Sequence, residues 1–218
     1  MRELDQVDGN FGFKVNHDWV LKRGLRSARK ALPDRPAFFD DKMWNGASTM
    51  TRTFLNVHQA GFDLMNAYAL AGGSGAEKKE GLELRKSISE FRKRVGKGKR
   101  MHIYAVTILT HYGDDYCIRH FGAPQSVIVR KLAEESIAAR ADGIIAPGTS
   151  LSVLDDLPTL ICFPGVRPIW YADDRHEREI RPEEIAGRED LEAVCGSPIM
   201  TIDDPVDGLK KILSALQS

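Results

Sequence analysis

Two lysines and an aspartate are placed where they could do chemistry together. The run AFFDDK (37–42) carries two carboxylates and a lysine among apolar residues, and GFKVN (12–16) carries one lysine. Side chains at i and i+2 of a strand share a face. That puts Phe38, Asp40 and Lys42 on one side of the first run and Phe39 and Asp41 on the other, while Lys14 faces opposite to Phe13 and Val15. With Phe13, Val15 and Phe39 turned out toward covering helices, Lys14, Asp40 and Lys42 point inward. Ionised groups there are costly unless paired, so lysine–aspartate–lysine across neighbouring strands is the satisfied arrangement. A buried structural ion-pair network is the alternative. A position at the C-terminal ends of barrel strands favours chemistry.

Two further stretches suit an anion. In CFPGVRPIWYADDRHERE (162–179), Gly165 and two prolines make a fixed turn after a strand, and Arg167 protrudes from it. A guanidinium grips phosphate in a bidentate fashion. In VCGSPI (194–199), a Gly-Ser turn offers backbone N–H groups ahead of a helix. A lone Arg in a turn is more often a surface residue, so the order of the two loops along the chain carries the weight.

The elements that would position these groups are short apolar runs alternating with helix-like stretches. Strands are expected at 12–16, 37–42, 62–69, 102–110, 143–147, 159–165 and 193–199. Between most of them lie amphipathic segments such as Ser126 to Arg140, where Ile128, Leu132, Ala133 and Ile137 fall on one face. This alternation implies right-handed crossovers and a parallel sheet. The even spacing favours a (β/α)8 TIM barrel, with a doubly wound sheet as the competitor. No linker is visible, so residues 1–218 are expected to form a single domain.

The 218 residues include 31 Lys+Arg and 31 Asp+Glu, a net charge of zero. No global field gathers nucleic acid or an anionic membrane, and no apolar run approaches the roughly 18 residues of a span. The basic end of Ala71–Arg100, KRVGKGKR, is read as solvated helix and loop rather than a nucleic-acid patch. The polar start and the three scattered cysteines (Cys117, Cys162, Cys195) predict a cytoplasmic protein with free thiols. The cysteines have no metal-ligand spacing.

The ordered set resembles the orotidine 5'-monophosphate (OMP) decarboxylase family. FKVNHDWVLKRG is similar to its second strand, with the lysine at Lys14. FFDDKMWNGAST resembles its Asp-x-Lys-x-x-Asp-Ile-Pro-Asn-Thr signature and puts Asp40, Lys42 and Thr49 on signature positions. LMNAYALAGG is similar to Val-Asn-Val-His-Ala and its Gly pair, YAVTILTH to the strand that ends at a ligand-binding threonine (Thr110), and CFPGVRP to Thr-Pro-Gly-Ile-Arg-Pro. DDPVDGLKKI is similar to the last helix and its lead-in.

The resemblance implies a barrel, a homodimer, an OMP/UMP ligand and decarboxylation without metal or organic cofactor. Lys42 would be the proton donor, Asp40 and Lys14 its charge partners, and Asn45 would stand at the second signature aspartate. Arg167, His176, Gly196 and Ser197 would hold the phosphate. The family's first strand has no counterpart, and its phosphate-binding Gly-Arg pair reads Gly196-Ser197. Two other readings stay open: a phosphosugar lyase or decarboxylase of the same superfamily, and a non-catalytic nucleotide-binding paralogue.

Overall fold

The computed structural model describes residues 1–72, 82–98, 100–171 and 180–217. Its elements alternate: β1 (Phe13–Asn16), α1 (His17–Arg23), α2 (Leu25–Lys30), β2 (Ala37–Met43), α3 (Ala47–Gln59), β3 (Leu64–Tyr68), α4 (Glu83–Val95), β4 (His102–Val106), α5 (Asp114–Phe121), α6 (Gln125–Ala138), β5 (Gly143–Ile145), α7 (Leu151–Leu154), β6 (Leu160–Pro164), β7 (Leu191–Val194), α8 (Ser197–Met200) and α9 (Pro205–Gln217). Among the described residues there are seven strands, in sheet order β1 to β7. The chain is thus α/β, with the β-then-α succession of a barrel fold and, among the described residues, one strand fewer than eight. No helix among the described residues is long and apolar enough to cross a membrane.

Each expected strand is present, with boundaries moved by one or two residues in most and by more in two. The strand expected at 102–110 stops at Val106. The last begins at Leu191, two residues before the expected 193, and ends at Val194. Its register pairs Leu191 with Ile161 and Val194 with Pro164. Pro198 has no N–H to give a ladder and instead opens a helix, where proline is accommodated.

The contacts divide the chain into two compact units. The first comprises Phe11–Thr107 and Lys131–Ile144. Here β1, β2, β3 and β4 pair in parallel, each with the next. Both faces of such strands must be covered, and their composition follows: Met65, Ala67, Ile103 and Ala105 are fully buried. The α3 and α4 helices cover one face through Met50, Phe54, Leu84, Ile88 and Phe91, with Phe54 and Phe91 meeting edge-on at 6.0 Å. Gly143 opens β5 against the ring of Tyr104, where a Cβ would come within 2.7 Å of the ring. Glycine is the residue that permits this approach.

The second unit comprises Met1–Asn10, Ile108–Arg130 and Ile145–Ser218. Here β6 and β7 pair in parallel, and Leu154, Ile161, Phe163, Val166, Leu209 and Ile212 are buried.

Aspartates just before strands fasten the first unit. Asp63 and Asp142 precede β3 and β5; each donates its own N–H to a carbonyl of the preceding helix-linked strand's start, Ala37 and Ile103 respectively. Their carboxylates accept N–H groups in return, from Ala37 at 3.0 Å and Ile103 at 2.9 Å. Asp142 also takes Arg92 at 2.6 Å and Arg100 at 3.0 Å. Replacing Asp142 with Ala strips a buried N–H and two guanidinium groups of their acceptor. Urea unfolding of Asp142→Ala is expected to show a loss of about 2–3 kcal/mol, in the range for hydrogen bonds to a charged group. A loss under about 0.5 kcal/mol, the scale of a neutral surface change, would contradict this role.

Candidate active site

The first unit brings Lys14, Asp40 and Lys42 together as the alternation predicts. Asp40 is buried (9% exposed) and lies between two ammonium groups: Lys14 Nζ donates to Oδ2 at 2.9 Å, and Lys42 Nζ donates to Oδ1 at 2.6 Å. Lys14 also donates to Asn16 Oδ1 at 2.6 Å. The lysine side chains keep 27% and 38% of their surface exposed while their ammonium groups hold the buried carboxylate.

The backbone that brings Lys42 there is not that of a regular strand. The register of β2 against β3 shifts between Phe39 and Met43, and Lys42 sits at φ +53°, in the left-handed region. A non-glycine residue there costs on the order of 1–3 kcal/mol and needs outside support. Asn66 of β3 supplies part of it. Its Oδ1 accepts the N–H groups of Asp41 at 3.0 Å and Lys42 at 2.7 Å, and its Nδ2 donates to Asp40 Oδ1 at 2.8 Å. Asn66 is 1% exposed, so its amide replaces sheet pairing in a place water does not reach. Sequence reasoning passed over it inside LMNAYA. An amide in an otherwise apolar strand was the available signal.

Burial by itself would raise the Asp40 carboxyl. The Lys14 charge, the hydrogen bond and charge of Lys42, and the Asn66 amide outweigh it and hold the group below its ordinary value. Asp40 is therefore an anion and the cluster carries one excess positive charge, suited to an anionic ligand and to a developing anion.

On the other face of β2, Asp41 pairs with Nδ1 of His17, and the His17 ring stacks on Phe39 with centroids 6.3 Å apart. Beyond β2, Trp44 (62% exposed) and Asn45 lie in the open, and Asn45 Oδ1 accepts the N–H of Gly46 at 2.8 Å. Thr49 is half-buried in the first turn of α3, where its N–H donates to Gly46 at 3.0 Å.

In the second unit, Thr110 is half-buried in a turn after β4. Gly165, at φ +79°, turns the chain out of β6, and the Arg167 guanidinium lies 5.7 Å from the centroid of the Tyr171 ring. The Tyr171 hydroxyl meets Thr201 Oγ1 at 3.0 Å, and Thr201 Oγ1 donates to the Ser197 carbonyl at 2.8 Å. Tyr171 and Thr201 thereby connect the Arg167 turn to the Gly196-Ser197 turn. Beyond Gly196 and Ser197 this turn adds no donors: Pro198 has no N–H, while those of Ile199 and Met200 are spent on the Gly196 carbonyl. His176 lies outside the described residues. Among the described residues, no three His, Cys, Asp or Glu side chains converge as metal ligands would.

No protein-family model matches the chain. Orotidine 5'-phosphate decarboxylase of Trichlorobacter lovleyi is 31% identical over 216 residues, covering 94% of this chain and 83% of that protein. The chain belongs to the orotidine 5'-phosphate decarboxylase family. The enzyme of the same name from Pelobacter propionicus is 29% identical over 184 residues, covering 82% of this chain and 72% of that protein. Among solved structures, orotidine 5'-phosphate decarboxylase of Lactobacillus acidophilus matches with a TM-score of 0.72 at 21% identity, over 94% of this chain and 86% of that one. The Methanocaldococcus jannaschii enzyme, complexed with inhibitor BMP, matches with a TM-score of 0.69 at 18% identity, over 99% and 89%. The fold is thus that of the OMP decarboxylase TIM barrels.

The lowered Asp40 value in this decarboxylase-family chain has a consequence for stability. A depressed carboxyl contributes stabilisation that is complete above its ordinary value of 3.8 and is lost as pH falls below it, through the folded-state value. Urea unfolding followed from about pH 6 to about pH 3 should show a steeper acid loss in the wild type than in Asp40→Asn, which has no proton to take up. Parallel curves would mean that Asp40 is not held ionised.

Proposed function

We propose that this chain converts orotidine 5'-phosphate to UMP and carbon dioxide in pyrimidine biosynthesis, with Lys42 as proton donor. The observation that carries the reading is the buried Asp40 carboxylate held between the ammonium groups of Lys14 and Lys42. Family membership, and a fold neighbour complexed with inhibitor BMP, support a nucleotide-type ligand.

In this reading the bond from C6 to the carboxylate breaks, its electron pair remains on C6, and carbon dioxide departs. Lys42 gives a proton to C6 and regains one from water. Asp40 orients Lys42 and, as an anion near the substrate carboxylate, favours its departure. The charge of Lys42 opposes the developing negative charge on the ring, an interaction stronger in the transition state than in the ground state. Lys14 balances Asp40 and reaches the ribose hydroxyls. Thr49 and Thr110 supply hydroxyl contacts, and Arg167, His176, Gly196 and Ser197 hold the phosphate. That remote binding offsets the cost of crowding two anions.

Asn45 and Ser197 favour a second reading, a nucleotide-binding protein without turnover. An amide at 45 has no charge to crowd the substrate carboxylate, and a hydroxyl at 197 offers phosphate one weak donor.

Kinetics of Lys42→Ala separate the two. Consumption of orotidine 5'-phosphate should fall by at least about 10²–10³-fold, the scale for loss of a main electrostatic group, while UMP affinity changes little. Retained turnover would show that Lys42 is not the donor. A wild type that binds UMP and turns nothing over would establish the second reading, and a requirement for magnesium would point to the phosphosugar branch of the superfamily.

A further inference from the structure

Building on the decarboxylase reading, we propose that His17 and Asp41 are a positioning pair that holds the bent end of β2 and so keeps the Lys42 ammonium on Asp40. The bend needs holding. Lys42 is left-handed at φ +53°, and although the ladder with β3 resumes at Met43 with Ala67, neither Asp41 nor Lys42 has a regular partner on β1 or β3, so the sheet brackets the bend without fixing these two residues. From inside, Asn66 grips residues 41 and 42 at their N–H groups alone, its Nδ2 going to Asp40. A peptide held at its N–H alone can still rotate about the neighbouring bonds.

The outer face provides the second grip. The Asp41 side chain, 10% exposed, projects away from the Asp40–Lys42 face and accepts a hydrogen bond from His17 Nδ1–H. His17 is itself well placed. It is the first residue of α1, directly after β1, and its ring stacks on Phe39 two residues before Asp41, with planes 13° apart. Residue 41 is thus fastened at its N–H on one face and at its carboxylate on the other, one peptide before Lys42. Without His17, the Asp41 carboxylate would be largely buried with no donor and would be drawn toward water or toward Lys42, in competition with Asp40. Neither His17 nor Asp41 is assigned a contact with substrate. The pair acts through Lys42.

His17→Ala and His17→Asn test this. The Asn amide places an N–H close to where Nδ1–H stands, so it can still donate to Asp41. The His17→Ala variant should lose roughly ten- to a hundredfold in kcat, the scale for small misplacement of a reacting group, with KM for orotidine 5'-phosphate little changed. His17→Asn should recover most of that loss. Hydrogen exchange gives a readout that does not need turnover: the Lys42 amide should exchange at least about tenfold faster in His17→Ala than in the wild type, while the Ala105 amide in β4 is unchanged. If His17→Ala does not fold, Asp41→Ala carries the same two measurements. Unchanged exchange at Lys42, or a kcat in His17→Ala equal to the wild type, overturns the proposal. A wild type inactive toward orotidine 5'-phosphate overturns the decarboxylase reading instead, and the exchange of Lys42 then decides the positioning role alone.

Discussion

The site depends on one buried carboxylate. An ionised aspartate that is 9% exposed is tolerable only when its oxygens are fully engaged, and Asp40 engages three donors: Lys14, Lys42 and Asn66. Each donor comes from a different stretch of chain, so the strands carrying them must stay adjacent and in parallel. The pairings of β1 with β2 and of β2 with β3 do this. Lys42 lies in the stretch of β2 between Phe39 and Met43 where pairing with β3 is irregular, and its positive φ is the local cost of bringing its ammonium back to Asp40.

Buried apolar packing on the helix side gives that strain something to work against. Phe54, Phe91 and Met50 are essentially inaccessible, and close-packed interiors of this kind do not yield to a bend at a strand end. The aspartates before β3 and β5 tie the opposite, N-terminal ends of the strands. Stability is thus concentrated at one end of the strands and charge chemistry at the other, the division of labour characteristic of β/α barrels.

The cluster of Lys14, Asp40 and Lys42 was legible in the sequence because three charged residues in apolar, alternating runs have few ways to be satisfied. The bend that completes it was not. Alternation assigns Lys42 to the Asp40 face on the assumption of regular backbone, and a positive φ at a lysine leaves no mark on composition. The amide of Asn66 in an apolar strand marked the residue, but its role as acceptor of two backbone N–H groups follows only from the neighbouring strand leaving its register. The early start of β7 escaped because Leu191 and Glu192 follow a charged stretch, RED (188–190), that reads as loop. The expected range 193–199 also runs through Pro198, which cannot join a ladder, whereas the strand stops at Val194. In the Gly196-Ser197 turn the same proline also removes an N–H that an anion site would use, a point that counts residue by residue and not by motif.

Carbon dioxide release tests the central claim most directly. Orotidine 5'-phosphate labelled with carbon-13 at the carboxylate, incubated with wild-type protein in the presence of a chelator, should release labelled carbon dioxide and UMP in a one-to-one ratio. Intact labelled substrate, recovered from protein that demonstrably binds UMP, would contradict the assignment of the Lys14–Asp40–Lys42 cluster to decarboxylation.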